Sequence, residues 1–157
     1  MNVINRRTFL KGTLAGGVVA VAAAAGLLTP TRVLAAAWPQ AAFTAKSIDE
    51  ALKALFGSSD APANAGVQIK AQPQAENGAV VPIAVVSTLP KVEAIAILVA
   101  ANAAPLVASV ALTGAEGYFS CRMKMGKTSD VKVVVKSQGK LFSATQQIKV
   151  TVGGCGG

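Results

Sequence analysis

From residue 67 onward, apolar and polar residues alternate in short runs, and a turn signal breaks them about every eight to twelve residues. A two-residue period puts every second side chain on one face of an extended strand, so this pattern specifies strands and excludes long helices. Val67-Gln68-Ile69-Lys70-Ala71 alternates, and Asn77-Gly78 is a strong turn signal. Val80 to Thr88 is β-rich, but Pro82 marks it as an edge or bulged strand, because proline has no N–H to give a ladder. Val92 to Ala100 is nearly continuous apolar, as a strand covered on both faces would be. Pro105 precedes Leu106 to Leu112, and Gly114 and Gly117 bracket a turn. Tyr118 to Met125, Val131 to Lys136 and Leu141 to Val152 complete the set, with Gln138-Gly139 turning between the last two. About seven strands at this spacing predict an all-β fold, an immunoglobulin-like antiparallel β-sandwich.

One short helix is expected ahead of the strands. Ser47 is a good N-cap, and Glu50 three residues on completes a capping box. Ile48, Ala51, Leu52, Leu55 and Phe56 fall on one apolar stripe, and Gly57 is a natural stop. Further upstream, residues 1–37 have the three parts of an export signal. Asn5-Arg6-Arg7-Thr8-Phe9-Leu10-Lys11 is a charged n-region resembling the twin-arginine consensus, so Arg6 and Arg7 are the expected recognition residues. The apolar stretch from Thr13 to Leu28 is milder and shorter than the roughly 20 residues a membrane span needs. Ala35-Ala36-Ala37 offers a small-residue cleavage site before Trp38, which leaves no stable membrane anchor. The expected organisation is a twin-arginine signal peptide at 1–37, a sandwich domain at 38–152 and a flexible arm at 153–157, in a protein exported to the periplasm.

Composition narrows the chemistry. The chain has no histidine, which excludes His-based acid–base work, His metal sites and Ser-His-Asp catalysis within it. Two cysteines without histidine make no zinc site, and no carboxylate pair stands out, so neither metal nor cofactor is expected. Four of the fifteen Lys+Arg, namely Arg6, Arg7, Lys11 and Arg32, lie in the signal. The mature chain keeps eleven against seven acidic residues, a net +4. Nucleic acid is not an expected partner, because one arginine remains and basic residues do not interleave with aromatics.

The chemistry that is left is sulfur. The sequence ends Gly153-Gly154-Cys155-Gly156-Gly157, a thiol between two pairs of glycines. Glycine loses more conformational freedom on ordering than any other residue, so this segment is expected to be a mobile arm. At about 3.3–3.6 Å per residue, Cys155 reaches roughly 10 Å beyond Val152. Its thiol has no activating neighbour. With an ordinary pKa near 8.5 only a few per cent is thiolate at pH 7, a poor catalyst but a serviceable handle. The second cysteine stands in Tyr118-Phe119-Ser120-Cys121-Arg122-Met123-Lys124-Met125. Parity puts Phe119, Cys121, Met123 and Met125 on one face and Ser120, Arg122 and Lys124 on the other. Cys121 is therefore expected to be a buried, inert core thiol. The alternative is a Cys121–Cys155 disulfide.

The tail Val150-Thr151-Val152-Gly153-Gly154-Cys155-Gly156-Gly157 and the stretch Tyr118–Asp130, together with the signal, helix and sandwich, resemble the SoxY family of periplasmic thiosulfate oxidation. Cys121 is a departure, since the carrier cysteine is usually the only one. The resemblance implies a sulfur carrier without catalysis of its own, with Cys155 the covalent attachment point and Gly153, Gly154, Gly156 and Gly157 the swinging arm. It implies a heterodimer with SoxZ. It also implies transient docking to the haem cytochrome SoxXA, the hydrolase SoxB and, in some organisms, SoxCD, with a cysteine persulfide left after hydrolysis. Two rival readings stand beside it. One is an exported sandwich used for adhesion or assembly, with an incidental tail. The other is a ubiquitin-like carrier activated at Gly156-Gly157, which would need a β-grasp fold and access to ATP.

Overall fold

The computed structural model of the protein describes residues 38–151. They form two helices, α1 (Gln40–Thr44) and α2 (Ile48–Phe56), followed by eight strands. The strands are β1 (Val67–Lys70), β2 (Gln74–Ala75), β3 (Val81–Ser87), β4 (Val92–Val99), β5 (Leu106–Ala111), β6 (Tyr118–Met123), β7 (Ser129–Ser137) and β8 (Lys140–Val150). They build a three-stranded sheet, β1-β3-β6, and a five-stranded sheet, β2-β8-β7-β4-β5. This is the expected immunoglobulin-like sandwich.

β4 and β7 explain why the larger sheet is so apolar. On one face Ile95, Ile97, Val99, Val131, Val133 and Val135 enter the core between the sheets. On the other, Ala96, Leu98 and Val134 join Ala51 and Leu52 of α2 and Ala42 of α1. In mid-strand both parities are dry, at Ile95 to Val99 of β4 and Val133 to Val135 of β7, whereas Lys132 and Lys136 alternate with the valines on either side of Val134 in β7. The three-stranded sheet has only one dry face, contributed by Val67, Val81, Ile83, Val85 and Met123.

Helix α2 starts and stops where expected. The Ser47 hydroxyl accepts the Glu50 N–H at 3.2 Å, and Gly57, at φ 79°, donates its N–H to the Lys53 carbonyl at 2.9 Å. The Glu50 carboxylate reaches the Lys46 N–H at 3.1 Å rather than that of Ser47, so the box closes one residue early. Gln138 and Gly139 both have positive φ and join Ser137 to Lys140 as a two-residue turn, the primed type that matches strand twist.

The structure corrects the expectation in four places. There are eight strands, not seven, because Gln74–Ala75 is too short to show an alternation. That strand runs parallel to β8, with Gln74 opposite Lys149 and Ala75 opposite Val150, so the sandwich is not wholly antiparallel. A second helix, α1, precedes the expected one; five residues carry too little of a 3.6-residue period to be read. Finally, Pro82 lies in the central strand of its sheet. The β1 register ends at Lys70 opposite Ala84, so Pro82 faces a neighbour only across β6, at Arg122. Locally it is at an edge, which is why its missing N–H is tolerated.

Leu52 is fully buried between α2 and the larger sheet. Leu52→Ala should lower unfolding stability by about 2–5 kcal/mol in a denaturant titration, the range for deleting a buried leucine side chain. Exposed Lys53→Ala in the next position should cost less than about 0.5 kcal/mol.

Candidate functional site

Val152, Gly153, Gly154, Cys155, Gly156 and Gly157 lie outside the described residues, as do Arg6 and Arg7. The structure describes the strand that carries the tail. β8 pairs with β7 from Lys140 to Ile148, and its last residues are then held along both edges. On one edge the Lys149 N–H donates to the Pro73 carbonyl at 2.9 Å and the Thr151 N–H donates to the Ala75 carbonyl at 3.0 Å. The Thr151 hydroxyl donates to the same Ala75 carbonyl at 3.3 Å. On the other edge the Val150 N–H donates to the Thr128 hydroxyl at 3.0 Å, and that hydroxyl faces the Val150 carbonyl at 3.4 Å. Successive N–H groups of a strand point to opposite sides, so a clamp must supply acceptors on both. Here β2 supplies one side and Thr128 the other.

Gly78 completes the clamp. It follows β2, and its carbonyl accepts the Met125 N–H at 2.7 Å. A Cβ at this position would collide with the Met125 carbonyl and come within 2.9 Å of a Val150 methyl. The Asn77 side chain shapes the same turn by accepting the Ala79 N–H at 2.8 Å. The turn read from Asn77-Gly78 is therefore real, but it carries the chain from one sheet to the other, and its glycine serves close approach.

Beside this root lies an open groove of about 980 Å³ on the three-stranded sheet. Pro82 and Ala84 of β3 are short and form its floor. Lys70 and Pro73 wall one side, and Cys121 and Arg122 the other. The register explains the hollow: Lys70 stands opposite Ala84, which stands opposite Ser120, and Pro82 stands opposite Arg122. Lys70 on one outer strand and Arg122 on the other stand beside the small Ala84 and Pro82 of the middle strand, and Ser120 is small as well.

Cys121 has the expected parity, and packs against the inter-sheet core with Phe119. It is not fully buried, however; it is half-buried and reaches the groove, because β6 is an edge strand with a neighbour on one side only. It is a free thiol. Desolvation by burial pushes its pKa up, so the neutral S–H form is favoured. The sequence did not signal the parts of the clamp. β2 is two residues long, and Thr128 sits in an irregular Gly-Lys-Thr-Ser run with no pattern to mark it.

Fold and site define a small immunoglobulin-like sandwich whose final strand is a rigid mount for whatever follows it. The model of the family "Sulfur oxidation protein SoxY" matches residues 52–155, so its last matched position is Cys155. Among solved structures, the sulfur carrier protein SoxY from Chlorobium limicola f. thiosulfatophilum is 40% identical, with a TM-score of 0.62. That match covers 72% of this chain and 99% of that one. The chain belongs to the SoxY family, whose members act within the Sox sulfur-oxidation system. A superoxide reductase (neelaredoxin) from Ignicoccus hospitalis is 16% identical over 54% of this chain and 79% of its own, at a TM-score of 0.49, and carries no argument here. No curated protein matches.

Two measurements check the site. Thr128→Val keeps the shape but removes the hydroxyl that serves Val150, at a cost of about 0.5–1.5 kcal/mol. The Val150 amide should then exchange with solvent faster, while that of buried Val133 in mid-sheet changes no more than global stability does. For Cys121, the raised pKa means less thiolate at any given pH than in the unfolded chain. Iodoacetamide labelling at Cys121 should therefore reach its half-maximal rate at a higher pH in native protein than in denatured protein. A lower midpoint would show an activated thiol.

Proposed function

We propose that this protein is the covalent sulfur carrier of periplasmic thiosulfate oxidation, with Cys155 as the attachment point. The single observation that carries the reading is the family match running to Cys155 itself, on a chain whose final strand is clamped on both edges. A carrier needs a fixed base and a reaching handle. The clamp provides the base through Thr151, and Gly153, Gly154, Gly156 and Gly157 provide a chain without side chains to obstruct a narrow channel.

The chemistry balances without a catalytic group on this protein. The Cys155 thiol and thiosulfate join as Cys–S–S–SO₃⁻ with loss of one proton and two electrons, which the haem cytochrome SoxXA accepts. Water then attacks the terminal sulfone in SoxB, releasing sulfate and two protons and leaving Cys–S–S⁻. The thiol is a handle in both steps, and activation comes from the enzyme that receives it. SoxZ is the heterodimer partner in this reading. The twin-arginine signal at 1–37, with Arg6 and Arg7, delivers the folded protein to the periplasm. The ubiquitin-like alternative requires a β-grasp fold, whereas this chain is a sandwich of two sheets.

Intact-mass spectrometry of protein from thiosulfate-grown cells tests the reading. Adducts of sulfur or thiosulfonate should map to the peptide containing Cys155, and Cys155→Ser should melt like the wild type and carry none. Gly154→Val should melt like the wild type yet load about tenfold more slowly, if the added side chain costs about 1.4 kcal/mol in the receiving channel. Adducts on Cys121 alone, or an unmodified Cys155 under turnover, would overturn the reading.

A further inference from the structure

The two outer faces of the sandwich are treated differently. Helices α1 and α2 cover the five-stranded sheet, while no described residue covers the outside of the three-stranded one. On that bare face Tyr118 stands opposite Val86, and it is 55% exposed. The groove continues from there across Ala84 and Pro82, with Lys70 and Arg122 as its cationic rim. No carboxylate lines the groove, and neither cation pairs with one among the described residues; the ion pair they contain, Lys136 with Glu93 at 3.6 Å, is on the other sheet. A face with an apolar floor and unneutralised cations at its rim is complementary to an apolar patch flanked by carboxylates.

Where the groove lies decides who would use it. Its wall residue Pro73 is the one whose carbonyl holds Lys149, and Ala75, two residues on, holds Thr151. The groove and the point where the arm leaves the body are thus joined by β2. Cys155 is four residue steps beyond Thr151, a reach of about 13 Å. A protein seated in the groove has its surface within range of that thiol.

We propose that the groove floored by Pro82 and Ala84 and rimmed by Lys70 and Arg122 is a docking surface for the enzymes that receive the arm. It would recognise carboxylates flanking an apolar patch beside the mouth of the receiving channel. This rests on the carrier reading above. Docking the body first turns entry of the arm into a local event, so a weak contact at the groove raises the effective concentration of the thiol at the channel. Steering between opposite charges makes the encounter sensitive to salt.

The test uses the mature protein in a Cys121→Ser background, so that one thiol is available, and loads it with tetrathionate. Thiol and tetrathionate give Cys–S–S–SO₃⁻, thiosulfate and a proton. The SoxB hydrolase of the same organism is the probe, and release of sulfate is the signal. Reversing the rim with Lys70→Glu and Arg122→Glu should raise KM about tenfold with kcat little changed, and should remove the fall in kcat/KM that rising salt causes in the wild type. The neutral pair Lys70→Gln and Arg122→Gln should fall between. Lys140→Glu, at the far end of β8, should behave as the wild type. Tetrathionate should load every variant at the same rate. Wild-type KM and salt dependence in the reversed variant would overturn the docking surface alone, whereas sulfate release from a Cys155→Ser protein would overturn the carrier reading. Failure of the reversed variant to co-purify with SoxZ would make this face the subunit interface and would also overturn the proposal.

Discussion

The structure depends on burying β4 and β7 on both faces at once. Each buried aliphatic side chain contributes about 1.5–3 kcal/mol of transfer free energy, and these two strands feed two separate clusters. One parity holds the sheets together and the other anchors α1 and α2. β5 and β8 touch both clusters as well, through Leu106 and Val110 and through Leu141 and Ile148, but with fewer fully buried side chains. β5 and β8 flank the pair, β2 rests on β8, and the small sheet has only its inner face to offer. The rigid part of the molecule therefore lies in the middle of the larger sheet, and β8 extends from it.

That placement has a structural consequence. A strand at the end of a chain usually frays, because its last N–H groups lack partners. β8 instead keeps partners to Thr151, from β2 on one side and from Thr128 on the other. The described hydrogen bonds thus hold β8 up to Thr151. Gly78 shows how tightly the base is built, since one added carbon would strike both the Met125 carbonyl and Val150.

The environment of Cys121 decides its reactivity. Cys121 sits on a sheet, half-buried, with burial favouring its protonated form, so it is a weak competitor for electrophilic sulfur.

Periodicity alone was enough to read the sandwich, the stripe and caps of α2, the primed turn at Gln138-Gly139 and the parity of Cys121. Each of these is a local rule, satisfied within a few residues: alternation for strands, a 3.6-residue stripe for a helix, positive φ for a two-residue turn. The thiol at Cys155 between glycines is a reading from composition, and it falls outside the described residues. What only the tertiary structure decided was everything that needs two distant segments to meet. β2 is too short to carry a pattern and exists because Pro73 and Ala75 reach β8. Pro82 fits a central strand because β1 stops at Lys70. Cys121 is half-exposed because β6 has no second neighbour. The groove exists because Ala84 and Pro82 on β3 are small and lie beside Lys70 of β1 and Arg122 of β6. Hydrogen-bond partners and neighbours across a sheet are set by register, and register is a property of the packed molecule that no single stretch of sequence contains.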